Sequence, residues 1–220
     1  MISQTEENYL KAIFKLTGES DDAVSTNQIS AEILTSAASV TDMIKRLSKK
    51  GLIKYERYKG TRLSDEGRKI ATSLIRKHRL WEVFLVEKLE FTWDEVHDIA
   101  EQLEHIKSEF LIERLDRFLG FPKFDPHGDP IPDKDGNFAY RKQVSLAQLD
   151  VGESGVVVGV NEHSTAFLRF LDSLALGLGA EVRILETFEY DMSMKVLVNQ
   201  SKEQVLSSKI SQNLFVMPGE

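Results

Sequence analysis

Residues 97 to 105 read HDIAEQLEH, two histidines and two glutamates in nine positions. Carboxylate oxygen and imidazole nitrogen are donors for hard-to-borderline divalent ions such as Mn, Fe(II), Zn and Co. The stretch reads as part of one helix, capped by Asp94 and continuing as EVHDIAEQLEHIKSEFLIERLDRFLG. At about 100° per residue, His97, Glu101, Glu104 and His105 then fall within an arc of about 100°. Like charges three positions apart cost stability on a bare helix, and a divalent cation would offset that cost. Upstream, DEGRKIATSLIRKHRLWEVFLVEKL forms one long amphipathic helix with His78 and Glu82 one turn apart on a shared face. Facing helices that present such residues are a common frame for a metal site. The chain has five histidines, and three of them lie on these two segments. It has no cysteine, which excludes disulfides, thiolate zinc sites and a cysteine nucleophile. A solvated polar face is the bland alternative, and it suits a lone histidine better than this alternating set.

The elements that must position these residues follow from periodicity. Tyr9, Leu10, Ile13, Phe14 and Leu16 give a helical apolar stripe that Gly18 can close. A second helix, STNQISAEIL, takes Ser25 or Thr26 as its cap. Four small residues, TSAA, separate it from SVTDMIKRLSKKG, where Val40, Ile44 and Leu47 face inward. Helix, short turn and helix make a helix-turn-helix, and LIKYERYKGTRLS adds a hairpin or wing. Residues 41–69 hold ten Lys/Arg against four Asp/Glu in a chain whose net charge is −7. One basic segment in an acidic chain is the footprint of a localised anion-binding face.

A winged helix-turn-helix sets its second helix in the major groove. The small outward residues Ser36, Ala37, Ala38, Ser39, Thr41 and Asp42, with Thr26 on the preceding helix, could approach base edges and thymine methyls. Lys45, Lys49, Lys59 and Arg62 suit phosphates, supplying affinity and salt dependence.

Residues 122–145 hold four of the five prolines and read as a linker or arm. Beyond them, GESGVVVGV, GAEVRILETF, MSMKVLVN and FVMP read as short strands, with brief helices at STAFLRFLDSL and SKISQNL. That pattern fits a small β-barrel. The fold class is mostly α with β, in several domains: 1–73 a winged helix-turn-helix, 74–122 helical, 123–145 an arm and 146–220 the barrel. No apolar run approaches the roughly 20 residues of a membrane span, and MISQTEENYLKAIFKL begins polar and acidic, unlike a secretory leader. The expected location is the cytoplasm.

TEENYLKAIFKL, TSAASVTDMIKRLSKKGLI, RKHRLWEVFLVEKL, VHDIAEQLEHIKSE and LGFPKFDPHGDPIP together resemble the diphtheria toxin repressor family of metal-dependent repressors, closest to manganese-responsive members with a C-terminal barrel of the ferrous-transport A/Src-homology type. The resemblance implies a primary regulatory ion held by Asn8, Glu101, Glu104 and His105. It implies an ancillary ion held by His78, Glu82 and His97, with His163 or Glu162. In some members a pair corresponding to Asp125 and His127 serves with Glu82. Iron-type members carry Met and Cys at the positions of Asn8 and Glu101, and manganese-type members carry Asp and Glu. Asn8 therefore departs from the pattern, and Glu7 or Glu6 could substitute. At the Lys11 position some short manganese regulators carry Glu and use it in a binuclear site, and this chain departs from them.

The resemblance further implies a homodimer on operator DNA, without a membrane partner. Mn(II) is the expected corepressor, Fe(II) the second choice, and Zn(II) or Co(II) substitutes in vitro. Trp81, Phe84, Leu85 and Leu111 are the expected dimer face. Two other readings compete. One is a two-metal hydrolase built on the same histidines and glutamates, for which no nucleophile or general acid stands out. The other is a constitutive DNA binder with a structural metal.

Overall fold

The hydroxyl of Ser3 accepts the backbone N–H of Glu6, and the Glu6 carboxylate accepts that of Ser3. This capping box starts α1, Gln4–Thr17, in the computed structural model, which describes residues 2–18, 20, 22–56 and 59–219. The buried face of α1 carries Tyr9, Leu10, Ala12, Ile13 and Phe14, and also the charged Glu6 and Lys11. A second capping box, Ser25 with Gln28, starts α2, Thr26–Ile33. α2 ends at Leu34, whose backbone is left-handed (φ 55°) and whose side chain is exposed. The next helix, α3, is Ala37–Lys49 and begins two residues earlier than expected, because Ser36 accepts the N–H of Ser39. Val40, Met43, Ile44 and Leu47 form its buried stripe.

β1, Ile53–Glu56, and β2, Gly60–Leu63, pair antiparallel from Ile53↔Leu63 to Glu56↔Gly60. Val24 bridges Thr61 as a third edge. Arg57 and Tyr58, part of the expected basic wing, lie outside the described residues. α4, Asp65–Leu89, is the long helix read from the sequence. Its first turn lies so close to the wing that a Cβ on Gly67 would meet the Leu52 carbonyl oxygen at 2.0 Å.

Contacts group the chain into two compact units. One comprises Met1–His78, Leu103–Ser108 and Pro132–Asn137; the other comprises Arg79–Gln102, Glu109–Ile131 and Phe138–Glu220. The expected single helix after Asp94 is two. α5 is His97–Leu103, α6 is Glu109–Phe118, and residues 104–108 form an irregular turn between them. No helical wheel therefore relates Glu104 and His105 to His97. Asp94 is not the cap either; its carboxylate lies 2.7 Å from Arg169 Nε. Trp81 and Leu85, expected at a dimer face, are buried within the protomer. Phe110, Leu111 and Phe118 on α6, with Phe121 beyond it, are the exposed apolar residues there.

The C-terminal part is a six-stranded antiparallel sheet with strand order β3-β8-β4-β5-β6-β7. Its strands are β3 Val144–Ser145, β4 Ser154–Val160, β5 Glu181–Thr187, β6 Met194–Val198, β7 Lys202–Leu206 and β8 Leu214–Pro218. Register shifts at Val157/Gly159 and Ile184/Glu186 mark bulges, which bend strands. Among the described residues no pairing joins β3 to β7, so the expected barrel is an open curled sheet. β7 escaped the sequence because only Leu206 of its residues is buried. α7, Thr165–Ser173, seats Phe167, Leu168 and Leu171 in the sheet's core, and α8, Ser208–Asn213, precedes β8. The proline-rich arm is folded: Asp125, His127, Gly128 and Ile131 are buried. No helix among the described residues is long and apolar enough to cross a membrane.

Candidate metal centres and DNA-reading face

Within the second unit, α4 delivers Glu82, and the turn Phe124–Pro130 delivers Asp125 and His127. All three are buried, and one ligand atom from each lies within 4.8 Å of the others. The turn is held by its own chemistry. Asp125 Oδ1 accepts the N–H of His127 at 2.8 Å and of Asp129 at 3.0 Å. Arg79, about one turn before Glu82 on α4, places Nε 3.4 Å from Asp125 Oδ2 and Nη2 2.9 Å from Asp129 Oδ2. Against β4, Val160 N–H donates to the His127 carbonyl at 3.0 Å. Gly128 has φ +88°, and a Cβ there would meet the Val158 carbonyl oxygen at 2.0 Å. Arg141 spans this junction, donating to the carbonyls of Gly128 at 2.7 Å and Val158 at 2.8 Å.

The orientation of the His127 ring decides which nitrogen can act. Nε2 lies 2.8 Å from the Trp93 carbonyl, an acceptor, so Nε2 carries hydrogen. Nδ1 then faces Glu82 Oε2 at 3.7 Å. A backbone carbonyl that fixes the tautomer and leaves the other nitrogen toward carboxylates is the usual outer support of a metal-ligating histidine. Burial opposes charge on His127, but the Glu82 carboxylate outweighs it, and the pKa rises to about 9. Burial and then the charge of Glu82 push Asp125 up to about 7. Two carboxylates and one imidazole are thus crowded in a buried site where protons offset negative charge. The donor set is oxygen and nitrogen without sulfur, which fits a hard-to-borderline divalent ion.

His97 Nδ1 lies 3.5 Å from Glu82 Oε1, at the half-exposed edge of this cluster. His163 stacks on His127 at 4.8 Å between ring centroids, with Nε2 3.3 Å from the Val160 carbonyl. Burial lowers its pKa, so it stacks as a neutral ring. Glu162 instead accepts from Ser164 and lies 3.6 Å from Lys209.

Within the first unit a second constellation joins α1 to the turn after α5. His105 Nδ1 lies 2.7 Å from Glu7 Oε2, and its Nε2 lies 3.8 Å from Glu104 Oε1. Glu104 Oε2 lies 2.6 Å from both Lys11 Nζ and His78 Nδ1. Burial would raise the pKa of Glu104, but His78 and Lys11 together hold it below the ordinary value. Asn8 is exposed, and the carboxylate facing His105 is its neighbour Glu7. Glu101 is half exposed on α5, its Oε1 3.7 Å from His97 Nε2. The sequence reading gave Lys11 no part in the centre and Glu7 only a substitute's. A signal existed: the two lie one turn apart on α1 and share a face.

The reading helix presents its expected residues to solvent. Ser36, Ala37, Ala38, Ser39, Thr41, Asp42, Lys45 and Lys49 are exposed, and Thr26 and Arg62 are partly so. Lys45 pairs with Asp42 at 3.1 Å, and Lys59, exposed in the turn between β1 and β2, pairs with Glu56 at 2.7 Å. Both pairs are exposed, contribute little and can exchange for phosphates.

Comparison with known proteins places the chain among metal-dependent repressors. The model of the iron dependent repressor N-terminal DNA binding domain matches residues 1–61. That of the iron dependent repressor metal binding and dimerisation domain matches residues 64–133, and the FeoA domain matches 144–218. The iron-dependent repressor IdeR of Mycobacterium leprae is 32% identical over 161 residues, 70% of this chain and 70% of its own length. The diphtheria toxin repressor of Corynebacterium diphtheriae is 30% identical over 154 residues, 70% of this chain and 62% of its own. Among solved structures, a manganese-dependent transcriptional repressor in complex with manganese has a TM-score of 0.85 at 35% identity, covering 96% of this chain and 98% of that one. The manganese regulator SloR has a TM-score of 0.76 at 31% identity, covering 97% and 98%.

Proposed function

The chain belongs to the iron-dependent repressor family that includes the diphtheria toxin repressor, and on that premise we propose that Mn(II) is the ion that switches it onto operator DNA. It is a metal-dependent DNA-binding transcriptional repressor, and its family is one of regulators, not enzymes. One observation carries the choice of ion. Both candidate centres offer only carboxylate and imidazole, with no Cys in the chain and no Met among the converging side chains. Such donors favour Mn(II), with Fe(II) next, and admit Zn(II) or Co(II) as substitutes.

When bound, the ion supplies a divalent charge that lets carboxylates and imidazoles stay together. The chain's own groups do the rest. Glu7, Glu104 and His105 draw α1 toward the turn after α5. Glu82, Asp125 and His127 form the ancillary centre, with His97 and His163 at its margin. The support for Glu7 over Asn8 is its charge and its contact with His105.

Reading of DNA is assigned to residues 1–73, dimerisation and most of the ion ligands to 74–122, and an arm and small sheet domain to 123–145 and 146–220, with Glu7 of the first and Asp125 and His127 of the arm completing the two centres. A homodimer, joined through the exposed apolar residues of α6, would set two reading helices about 34 Å apart on successive major grooves. The proposed location is the cytoplasm, and the targets are genes of metal uptake.

The test measures operator affinity while Mn(II), Fe(II) and Zn(II) are titrated, with and without chelator. Mn(II) at the lowest concentration should confer tight binding, and chelator should abolish it. Equal affinity in both conditions would identify a constitutive binder instead. The ion can act only through its preference for the DNA-competent form.

A further inference from the structure

We propose that α7 of the sheet domain is a positioning element for the ancillary ion: Arg169 and Asp172 hold the Trp93 carbonyl against the Nε2–H of His127. The inference rests on the reading of Glu82, Asp125 and His127 as that centre.

The carbonyl needs an outside hold. Trp93 lies in residues 90–96, the irregular link between α4 and α5, so no helix or strand fixes its backbone. Its oxygen nevertheless sits 2.8 Å from His127 Nε2. A drift of about 0.5 Å would take such a bond outside its usual range.

The hold comes from one face of α7. Thr165, Arg169 and Asp172 fall at i, i+4 and i+7, and all three are exposed. All three reach the same dipeptide, Trp93–Asp94. Trp93 Nε1 donates to Asp172 Oδ2 at 2.9 Å, and Arg169 Nε donates to Asp94 Oδ2 at 2.7 Å. The Thr165 hydroxyl donates to the Asp94 carbonyl at 3.4 Å. On the other side of α7, Phe167, Leu168 and Leu171 are buried in the sheet's core, so the helix is itself anchored.

These contacts differ from ordinary surface pairs. The Asp94 side chain is only 5% exposed, against 67% for Arg169. An enclosed carboxylate keeps its partner, because leaving it alone costs more than a solvated pair gains. The same helix also meets the ring of His127. His163, just before the Ser164 cap of α7, stacks with it at 4.8 Å, and Trp93 stacks with it at 6.2 Å. With the carbonyl held, Nε2 stays committed to it and Nδ1 stays aimed at Glu82. With the carbonyl released, the ring can turn and the ion loses an oriented donor.

The test compares two double variants of the full-length chain. Arg169→Met with Asp172→Ala deletes both bonds, while Arg169→Lys with Asp172→Asn keeps a donor and an acceptor in place. Both positions are exposed, so neither pair disturbs the core. In equilibrium dialysis with Mn(II), the deletion pair should be about tenfold weaker at the class of site that His127→Gln removes, the low end of what loss of an outer partner costs. The other class should be unchanged, and the conservative pair should bind as wild type does. A second readout needs no metal. In the ion-free chain with isotope-labelled histidine, the Nε2–H of His127 should give a slowly exchanging proton resonance in wild type and in the conservative pair. It should be lost to solvent exchange in the deletion pair. Wild-type affinity with a protected Nε2–H in the deletion pair overturns the proposal. A conservative pair as weak as the deletion pair also overturns it. If His127→Gln removes no class of site, the ancillary reading fails and the proposal falls with it; a class lost in His127→Gln beside an unaffected deletion pair sinks the role of α7 alone.

Discussion

Glu7 Oε2 lies 2.7 Å from His105 Nδ1, a contact between residues 98 positions apart that ties α1 to the turn after α5. Asn8, one residue further, points to solvent. Glu7→Gln keeps the shape and removes the charge. It should weaken Mn(II) binding by at least about tenfold, the low end of what loss of even an outer partner costs a metal site. Asn8→Ala should bind within twofold of wild type. Isothermal titration of both variants checks this, and the reverse ranking would restore Asn8 as the ligand.

Glu6, the preceding residue, faces the other way. Its Oε1 lies 2.7 Å from Lys50 Nζ, just past the C-terminus of the reading helix α3, and Arg46 stands 4.0 Å away. Hydrogen bonding from Lys50 holds the Glu6 pKa below the ordinary value. Successive residues of α1 thus grip the reading helix and the ion centre. Glu6→Gln should reduce the ratio of operator affinity with and without Mn(II) severalfold while leaving the ion count unchanged. Because coupling is reciprocal, operator DNA should also enhance Mn(II) affinity less in this variant. Fluorescence anisotropy on labelled operator, with Mn(II) titrated at fixed protein, measures both. An unchanged ratio would exclude this contact from the coupling.

The elements were legible where periodicity is strong and burial one-sided. α4 was read at its observed length because its apolar positions repeat over twenty-five residues. The break at residues 104–108 was not legible. EHIKS contains no glycine or proline, and the helix stops there as Glu104 meets Lys11 and His78, partners 93 and 26 positions away. Propensity is a weak prior against such pairing. The Asp125–His127 turn could be suspected from its residue types. Its supports could not, since Trp93 acts through a backbone carbonyl and Arg141 binds carbonyls, neither of which leaves a mark in spacing. Lys11 entered the sequence reading only as the position where some short manganese regulators carry Glu, and its buried contact with Glu104 left no mark in spacing.

The ancillary centre should be pH-dependent, and the sign follows from His127. Its folded pKa of about 9 lies above the ordinary 6.5, chiefly through Glu82 working against burial. Protonated His127 therefore stabilises the ion-free fold fully below 6.5, and that contribution is lost as pH rises through about 9. A metal must displace this proton, so affinity should climb with pH and level off near 9. The climb should steepen below about 7, where Asp125 also holds a proton. Trp93, whose ring stacks on His127 at 6.2 Å, provides the readout in a Trp81→Phe background. Mn(II) quenching measured anaerobically from pH 6 to 9 should follow this curve, and His127→Gln should flatten it. A pH-independent response in the parent would refute the assignment of Nδ1 as donor.

Gly128 offers the sharpest separation of the two centres. It lies in the second unit, beside His127, with a φ of +88° that L side chains rarely adopt. A Cβ there would meet the Val158 carbonyl oxygen at 2.0 Å and its carbon at 2.9 Å, both rigid backbone of β4. Neither atom is the flexible end of a side chain, so Gly128→Ala must push the turn off β4. The casualties are the Val160 N–H to His127 carbonyl bond and the reach of Arg141 to the Gly128 carbonyl. His127 then loses its aim at Glu82, while Glu7, Glu104 and His105 in the first unit are untouched. The expected outcome is loss of one class of Mn(II) site with the other retained, together with loss of the Trp93 response. Arg141→Ala should give a milder form of the same phenotype, because it removes one clamp without inserting an atom. If Gly128→Ala binds Mn(II) in both classes as wild type does, the packing of this turn on β4 does not set the ancillary centre.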